Sequence, residues 1–142
     1  MLIKQLSVFI ENKKGRVADI TEVLWKSGIN IRAISIADTS KYGILRLIVD
    51  NTQKALDNLT AAGFTVSVTE GIAIAIPDVP GGLAKALIAL NDNDICIEYV
   101  YAFIGAVENK AFVMLRVEDN QAAIKVLESC GFAMLKNSDI DV

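Results

Sequence analysis

Apolar and polar positions in the first half of the chain alternate, then change period. Leu6, Val8 and Ile10 interleave with Gln5, Ser7 and Phe9, which predicts a strand. Glu11-Asn12-Lys13-Lys14-Gly15 turns the chain. Val17, Ile20, Thr21 and Leu24 then recur at the spacing of one helix face, and Ser27-Gly28 closes that helix with a glycine suited to a left-handed cap. Ile29 to Asp38 is β-branched and extended, Ser40-Lys41-Tyr42-Gly43 reads as a hairpin turn, and Ile44 to Asp50 as the return strand. Asn51-Thr52 is placed to cap a second helix with Ala55, Leu56 and Leu59 inward. Gly63 stops it, and Phe64 to Val68 is a last strand.

The second half repeats this order. Gly15 recurs as Gly81, 66 residues on, and at that offset Ala18, Leu24, Ile29 and Ile31 fall on Ala84, Leu90, Ile95 and Ile97. After a two-residue insertion the offset becomes 68, matching Leu47, Val49, Leu59 and Gly63-Phe64 with Leu115, Val117, Leu127 and Gly131-Phe132. The predicted elements are Ile72–Ile76, Gly81–Asn91, Ile95–Ile104, Lys110–Glu118, Gln121–Cys130 and Phe132–Lys136. A fixed internal period decides architecture before any motif does. The expectation is an α+β chain of two ferredoxin-like βαββαβ modules in tandem, with antiparallel sheets and both helices on one face. The domains are residues 1–69 and 70–142, joined by a short linker, Thr69-Glu70-Gly71.

Composition narrows the picture. Modules of roughly seventy residues bury limited cores and lean on a further surface. The chain is 53% hydrophobic with only nine aromatic residues, and its mean hydropathy is +0.43. That surplus predicts contact between repeats or chains, and a homodimer at least. A net charge of −3 gives no electrostatic footprint for nucleic acid or an anionic membrane. No apolar run approaches a membrane span, and Met1-Leu2-Ile3-Lys4-Gln5 carries no signal pattern, so a cytoplasmic location is expected. Cys96 and Cys130 lie in apolar segments without paired spacing and read as buried core thiols. Histidine is absent, which removes the commonest general base and metal ligand. Neither an enzyme nor a metal or cofactor is expected.

Polar chemistry concentrates at the first strand-to-helix turn. Asn12, Lys13, Lys14 and Gly15 precede one end of the first helix, and Asn30 and Ile31 follow the other. The two asparagines could therefore meet across an interface between modules more readily than within one. An asparagine amide offers two donors and an acceptor, and a helix start adds free N–H groups that favour a carboxylate. Together they suit a zwitterion. The alternatives are that Asn12 caps the helix, that Asn30 satisfies a strand end, and that Lys13, Lys14 and Arg16 form a solvated cluster. Trp25 and the pair Tyr99/Tyr101 read as interface or core packing.

Glu-Asn-Lys-Lys-Gly, an amphipathic helix and Gly-Ile-Asn-Ile together resemble the ACT domain, a small regulatory module that binds amino acids. Its pattern is Glu-Asn-x-Pro-Gly before the first helix and Gly-x-Asn-Ile at the second strand. The second repeat resembles it through Pro77-Asp78-Val79-Pro80-Gly81, and the likeness spans residues 2–68 and 71–137. The resemblance implies ligand contacts at Asn12 and Asn30, with Lys13, Lys14, Gly15 and Ile31 beside them. In the second repeat it implies Asp78, Pro80, Gly81 and Cys96. Lys14 stands in place of the usual proline, and Ile10 where phosphoglycerate dehydrogenase has a histidine, so that enzyme's serine preference does not transfer. Asp78 and Cys96 replace the two asparagines, and Asp78 equally suits a plain turn.

Two functions follow. The first is a free-standing regulator that senses an amino acid at ACT–ACT interfaces and acts on an enzyme or pathway of amino-acid metabolism. The second is a structural or interaction module with a degenerate site. Gly15-Arg16-Val17 superficially resembles an acylphosphatase loop but lacks its second glycine and arginine, and Arg46 and Arg116 do not make an RNA-binding sheet in an acidic chain.

Overall fold

The computed structural model describes residues 2–38, 41–103, 105 and 107–140. Its elements run β1 (Ile3–Glu11), α1 (Arg16–Lys26), β2 (Ile31–Asp38), β3 (Tyr42–Val49), α2 (Thr52–Ala61), β4 (Thr65–Pro77), α3 (Gly82–Asp92), β5 (Ile97–Phe103), β6 (Lys110–Val117), α4 (Asn120–Ser129), β7 (Ala133–Met134) and α5 (Asn137–Ile140). Ser40, in the expected hairpin turn, and Ile104, at the end of an expected strand, lie outside the described residues.

The chain forms two compact units, one of Lys4–Thr69 and one that runs from Glu70 and takes in Leu2 and Ile3. In the first, β3 lies between β2 and β1, antiparallel to both, and the opening residues of β4 flank β1. Leu6, Val8, Leu45, Leu47 and Val49 face one side of that sheet and meet Ile20 and Leu24 of α1 and Ala55 and Leu59 of α2. Alternation along each strand puts these residues on one face, and the spacing along each helix turns its apolar stripe onto them. In the second unit β6 pairs β5 and the later part of β4, and β7 pairs the other side of β4. Its core combines Ile72, Ile74, Val113, Leu115 and Val117 with Ala86, Leu90, Ala123 and Leu127. Both units have the ferredoxin-like α+β plan.

The repeat extends to hydrogen bonds. Leu6 pairs with Leu47 as Ile72 pairs with Leu115. The Lys54 N–H donates to the Asn51 side chain at 3.1 Å, capping α2, and the Ala122 N–H donates to Asp119 at 3.1 Å, capping α4. β2 and β5 carry the same register shift, between Ile31 and Ala33 and between Ile97 and Tyr99.

Three expectations change. Thr69-Glu70-Gly71 is not a linker loop but the middle of β4. The strand needs glycine there because a Cβ on Gly71 would press on the Met114 side chain and the Leu115 carbonyl of β6. Arg116 also donates to the Glu70 carbonyl at 3.3 Å while pairing with Glu98. The last strand shortens to Ala133–Met134, and Asn137–Ile140 coils into a short helix that seats Ile140 in the interior. Both cysteines are exposed, not buried. Cys96 falls between Ile95 and Ile97, whose side chains turn to the core, so alternation turns its own away. Cys130 is the residue that ends α4, past the helix's last inward turn.

Candidate functional site

The turn between β1 and α1 is set by Gly15, which takes φ 88° at the helix N-cap. A side chain is strained in that conformation. Gly81 does the same before α3, with φ 84°. Backbone bonds around the two turns coincide. The Asn12 N–H donates to the Lys41 carbonyl at 2.9 Å, and the Asp78 N–H to the Asn109 carbonyl at 3.0 Å. The Asp19 and Lys85 N–H groups return to the Gly15 and Gly81 carbonyls at 2.9 and 3.0 Å. The N-cap residues of α1 and α3 are Gly15 and Gly81, which have no side chain to cap with. The Arg16 and Gly82 N–H groups bond back to the Lys13 and Val79 carbonyls at 3.4 and 3.0 Å, and the rest of each first turn is what a helix start offers an anion.

Asn12, Lys13, Lys14 and Gly15 are all exposed. The Lys13 ammonium meets a Glu11 carboxylate oxygen at 2.7 Å. That hydrogen bond, and the charge behind it, hold the Glu11 carboxyl below the usual carboxylate range. Arg16 adds a smaller contribution of the same sign and lies over the Phe64 ring at 5.8 Å. Behind this turn Ile10, Glu11, Arg16, Phe64 and neighbouring residues line a cleft of about 220 Å³.

Asn30 and Ile31 lie elsewhere. They follow the C-terminal end of α1, whose eleven residues span about 16 Å at ~1.5 Å per residue. With Thr21, Trp25, Gly28 and Ile29 they line a cleft of about 350 Å³. Asn30 is exposed and Ile31 half-buried. The Asn30 N–H donates to the Asp50 carboxylate at 3.0 Å, and the Asp50 N–H donates to the Asn30 carbonyl at 3.2 Å. The backbone of Asn30 thus closes the strand end, while its position is fixed by a carboxylate. No charged side chain is among those lining this cleft.

The two termini of α1 have opposite polarity. The Gly15 end has helix N–H groups with Lys14 and Arg16 beside Glu11 and Asp19, and the Asn30 end has the helix carbonyl terminus with Asp50 beside Lys26. The backbone at the first favours a carboxylate and at the second an ammonium. One module does not bring Asn12 and Asn30 together.

In the second unit Asp78, Pro80 and Gly81 sit at the turn before α3, and Cys96 follows the far end of that helix; all four are exposed. Gly82 stands where the first unit has Arg16, and a Cβ there would collide with the Pro77 carbonyl. This turn lies tighter against its strand and presents no guanidinium. Glu118 and Cys96 stand at the positions of Asp50 and Asn30.

Sequence reasoning missed Asp50, Thr21 and the clefts behind Arg16 and Trp25. The Asp50 contact was accessible from register, because pairing of Ile31 with Val49 brings residues 30 and 50 side by side. Trp25 is 76% exposed, so it is no part of its module's core. Tyr99 and Tyr101 stack on β5 with centroids 6.3 Å apart. Among the described residues no group of three or more Cys, Asp or Glu side chains is arranged to hold a metal, and no helix is long and apolar enough to cross a membrane.

Two ferredoxin-like modules, each with a glycine-led turn into its first helix, define a tandem α+β module. The chain belongs to the ACT domain pair family, whose profile matches residues 1–141. It is similar to the solved structure of protein BT0572 from Bacteroides thetaiotaomicron, with 42% identity, 99% of this chain and 96% of that one covered, and a TM-score of 0.91. The regulatory subunit of aspartate kinase from Thermus thermophilus, in a ligand-free form, shares the fold at 21% identity, with 92% and 94% covered and a TM-score of 0.68. The corresponding subunit from Thermus flavus does so at 18% identity, with 91% and 93% covered and a TM-score of 0.61. No similar sequence is found among curated proteins.

Proposed function

We propose that this protein is a non-catalytic regulator that binds a free amino acid where two ACT modules abut, and that binding alters its action on an enzyme or pathway of amino-acid metabolism. The observation that carries this reading is Asn30, held by Asp50 and lining a cleft of about 350 Å³. The opposite backbone polarity of the two termini of α1 supports it. A zwitterion held by Asn12 and Gly15 of one module and Asn30 of another would place its carboxylate at helix N–H groups and its ammonium near Asp50. Because those groups stand at opposite ends of α1, a complete site needs two modules, and a homodimer in the cytoplasm supplies them. Lys13, Lys14 and Ile31 border the site, while Asp78, Pro80, Gly81 and Cys96 form a divergent counterpart. Regulation then requires that the ligand bind one assembly state more tightly than another.

Calorimetric titration with each of the twenty amino acids tests the proposal. One or a few should bind more tightly than millimolar, and Asn30→Ala should abolish that binding. No binding above that threshold, with Asn30→Ala unchanged from wild type, defeats it. One observation favours the scaffold reading: Ile34 and Ile36 on strand β2 are nearly half exposed, at 45% and 47%. A partner enzyme retained equally with and without amino acids would support that role.

A further inference from the structure

We propose that Trp25 sets the ligand class of the Asn30 cleft, so that the bound amino acid carries an apolar, uncharged side chain lying on the indole. This inference rests on the amino-acid reading above. Trp25 is the single tryptophan of the chain and is 76% exposed. A ring of that size left in water gains substantially from an apolar cover.

The other walls agree. Ile29 is buried and Ile31 half-buried, and both line the same cleft. The Thr21 hydroxyl already donates to the Ala18 carbonyl at 2.9 Å, within its own helix. Asn30 is then the polar side chain available for the ligand's charged end, next to Asp50. A mostly apolar cleft with one polar anchor is the ordinary design of a small-molecule site. An aspartate or glutamate side chain would meet no cation on the lining residues, and a lysine would find only Asp50, which the ligand's own ammonium already takes. The second unit does not repeat the wall. The positions of Thr21, Trp25 and Asn30 are taken there by Leu87, Asn91 and Cys96. One ligand per chain follows.

The lone indole makes the test direct. Wild-type protein, Trp25→Ala, Trp25→Phe and Asn30→Ala are titrated with leucine, methionine, phenylalanine, lysine and aspartate. Affinity and stoichiometry are followed by calorimetry, with tryptophan emission as a second signal in the variants that keep the indole. Apolar amino acids should move the wild-type emission saturably to shorter wavelength, with one equivalent bound per chain. Trp25→Ala should weaken their binding roughly tenfold and Trp25→Phe much less. Because Trp25 is exposed, Trp25→Ala should keep the wild-type melting temperature. Preference for lysine or aspartate, or wild-type affinity in Trp25→Ala while Asn30→Ala has lost binding, overturns this inference and leaves the amino-acid reading standing. A buried-type emission in the free protein, together with dissociation of a dimer by Trp25→Ala, makes Trp25 a subunit contact and also overturns it. No binding of any of these amino acids to wild type overturns it as well, and absence of binding across all twenty removes the amino-acid reading too.

Discussion

Asn30, which lines the Trp25 cleft, exchanges hydrogen bonds with Asp50, side chain to backbone at 3.0 Å and backbone to backbone at 3.2 Å. The first of these gives Asp50 two functions. It accepts the N–H at the entrance to β2, and it leaves a carboxylate beside the Asn30 amide, where an ammonium group is expected. The second unit has Glu118 and Cys96 at the matching positions, a carboxylate one methylene longer and a thiol in place of the amide. The repeats therefore differ at this strand end as well as at the residue after each turn glycine, where Arg16 is matched by Gly82.

Replacing Asp50 separates these functions. Asp50→Asn keeps an oxygen acceptor for the Asn30 N–H but removes the charge, so stability should stay near wild type while affinity for an amino acid falls. Asp50→Ala should lose both, with a stability cost below about 1 kcal/mol because the bond is exposed. Urea unfolding and calorimetry on the two variants check this. Equal affinity in wild type and Asp50→Asn would remove the charge from the account.

Leu24 and Leu90 occupy the same position in the two repeats, each fully buried and each with its carbonyl accepting from an isoleucine N–H, at 2.9 and 3.0 Å. Leu24→Ala and Leu90→Ala should each destabilise their unit by about 2–5 kcal/mol through lost burial and the cavity left behind. The measurement is the urea midpoint, with the slope unchanged if only stability has moved.

Much of this architecture was legible because the repeat states it twice. Period-2 alternation in Leu6, Val8 and Ile10 and the helical spacing of Val17, Ile20 and Leu24 mark faces that the core then uses. Other features depend on contacts distant in sequence. Glu70-Gly71 has the composition of a turn, and it remains in β4 because Gly71 fits against Met114 and Leu115 and Arg116 reaches the Glu70 carbonyl. The apolar neighbours of Cys96 suggested burial, whereas alternation between Ile95 and Ile97 decides the opposite. At the candidate site the residue types Asn12, Gly15 and Asn30 were readable from the turn pattern. Their separation by the length of α1 was readable from topology. The cleft behind Trp25 was not, since an exposed tryptophan on a helix has the same letter as a buried one.

Acid should weaken the Glu11–Lys13 and Glu22–Lys26 pairs. Each lysine hydrogen-bonds its glutamate and lowers that carboxyl's pKa below the ordinary 4.5. A carboxylate with a depressed folded-state pKa contributes stability above its unfolded pKa and loses it as pH falls through the folded value. The difference in melting temperature between wild type and Glu11→Gln should thus be present at neutral pH, shrink below pH 4.5 and vanish in molar salt, which screens exposed pairs. A difference that persists in strong acid would assign Glu11 a role other than its charge.

Gly82 offers the sharpest contrast between repeats. Its counterpart Arg16 carries a long side chain across the Phe64 ring, and Arg16→Ala should leave stability close to wild type while loosening that contact. Gly82→Ala places a methyl group against the Pro77 carbonyl, a backbone atom that cannot rotate away. The turn must open by moving α3 or the end of β4, and overpacking of this kind costs about 1–3 kcal/mol. Because α3 presents Ala86 and Leu90 to the core of its unit, the displacement should register as a lower urea midpoint and faster amide exchange along α3. A Gly82→Ala protein as stable as wild type would show that the turn before α3 has room to spare, and that its lack of a side chain does not distinguish the second repeat from the first.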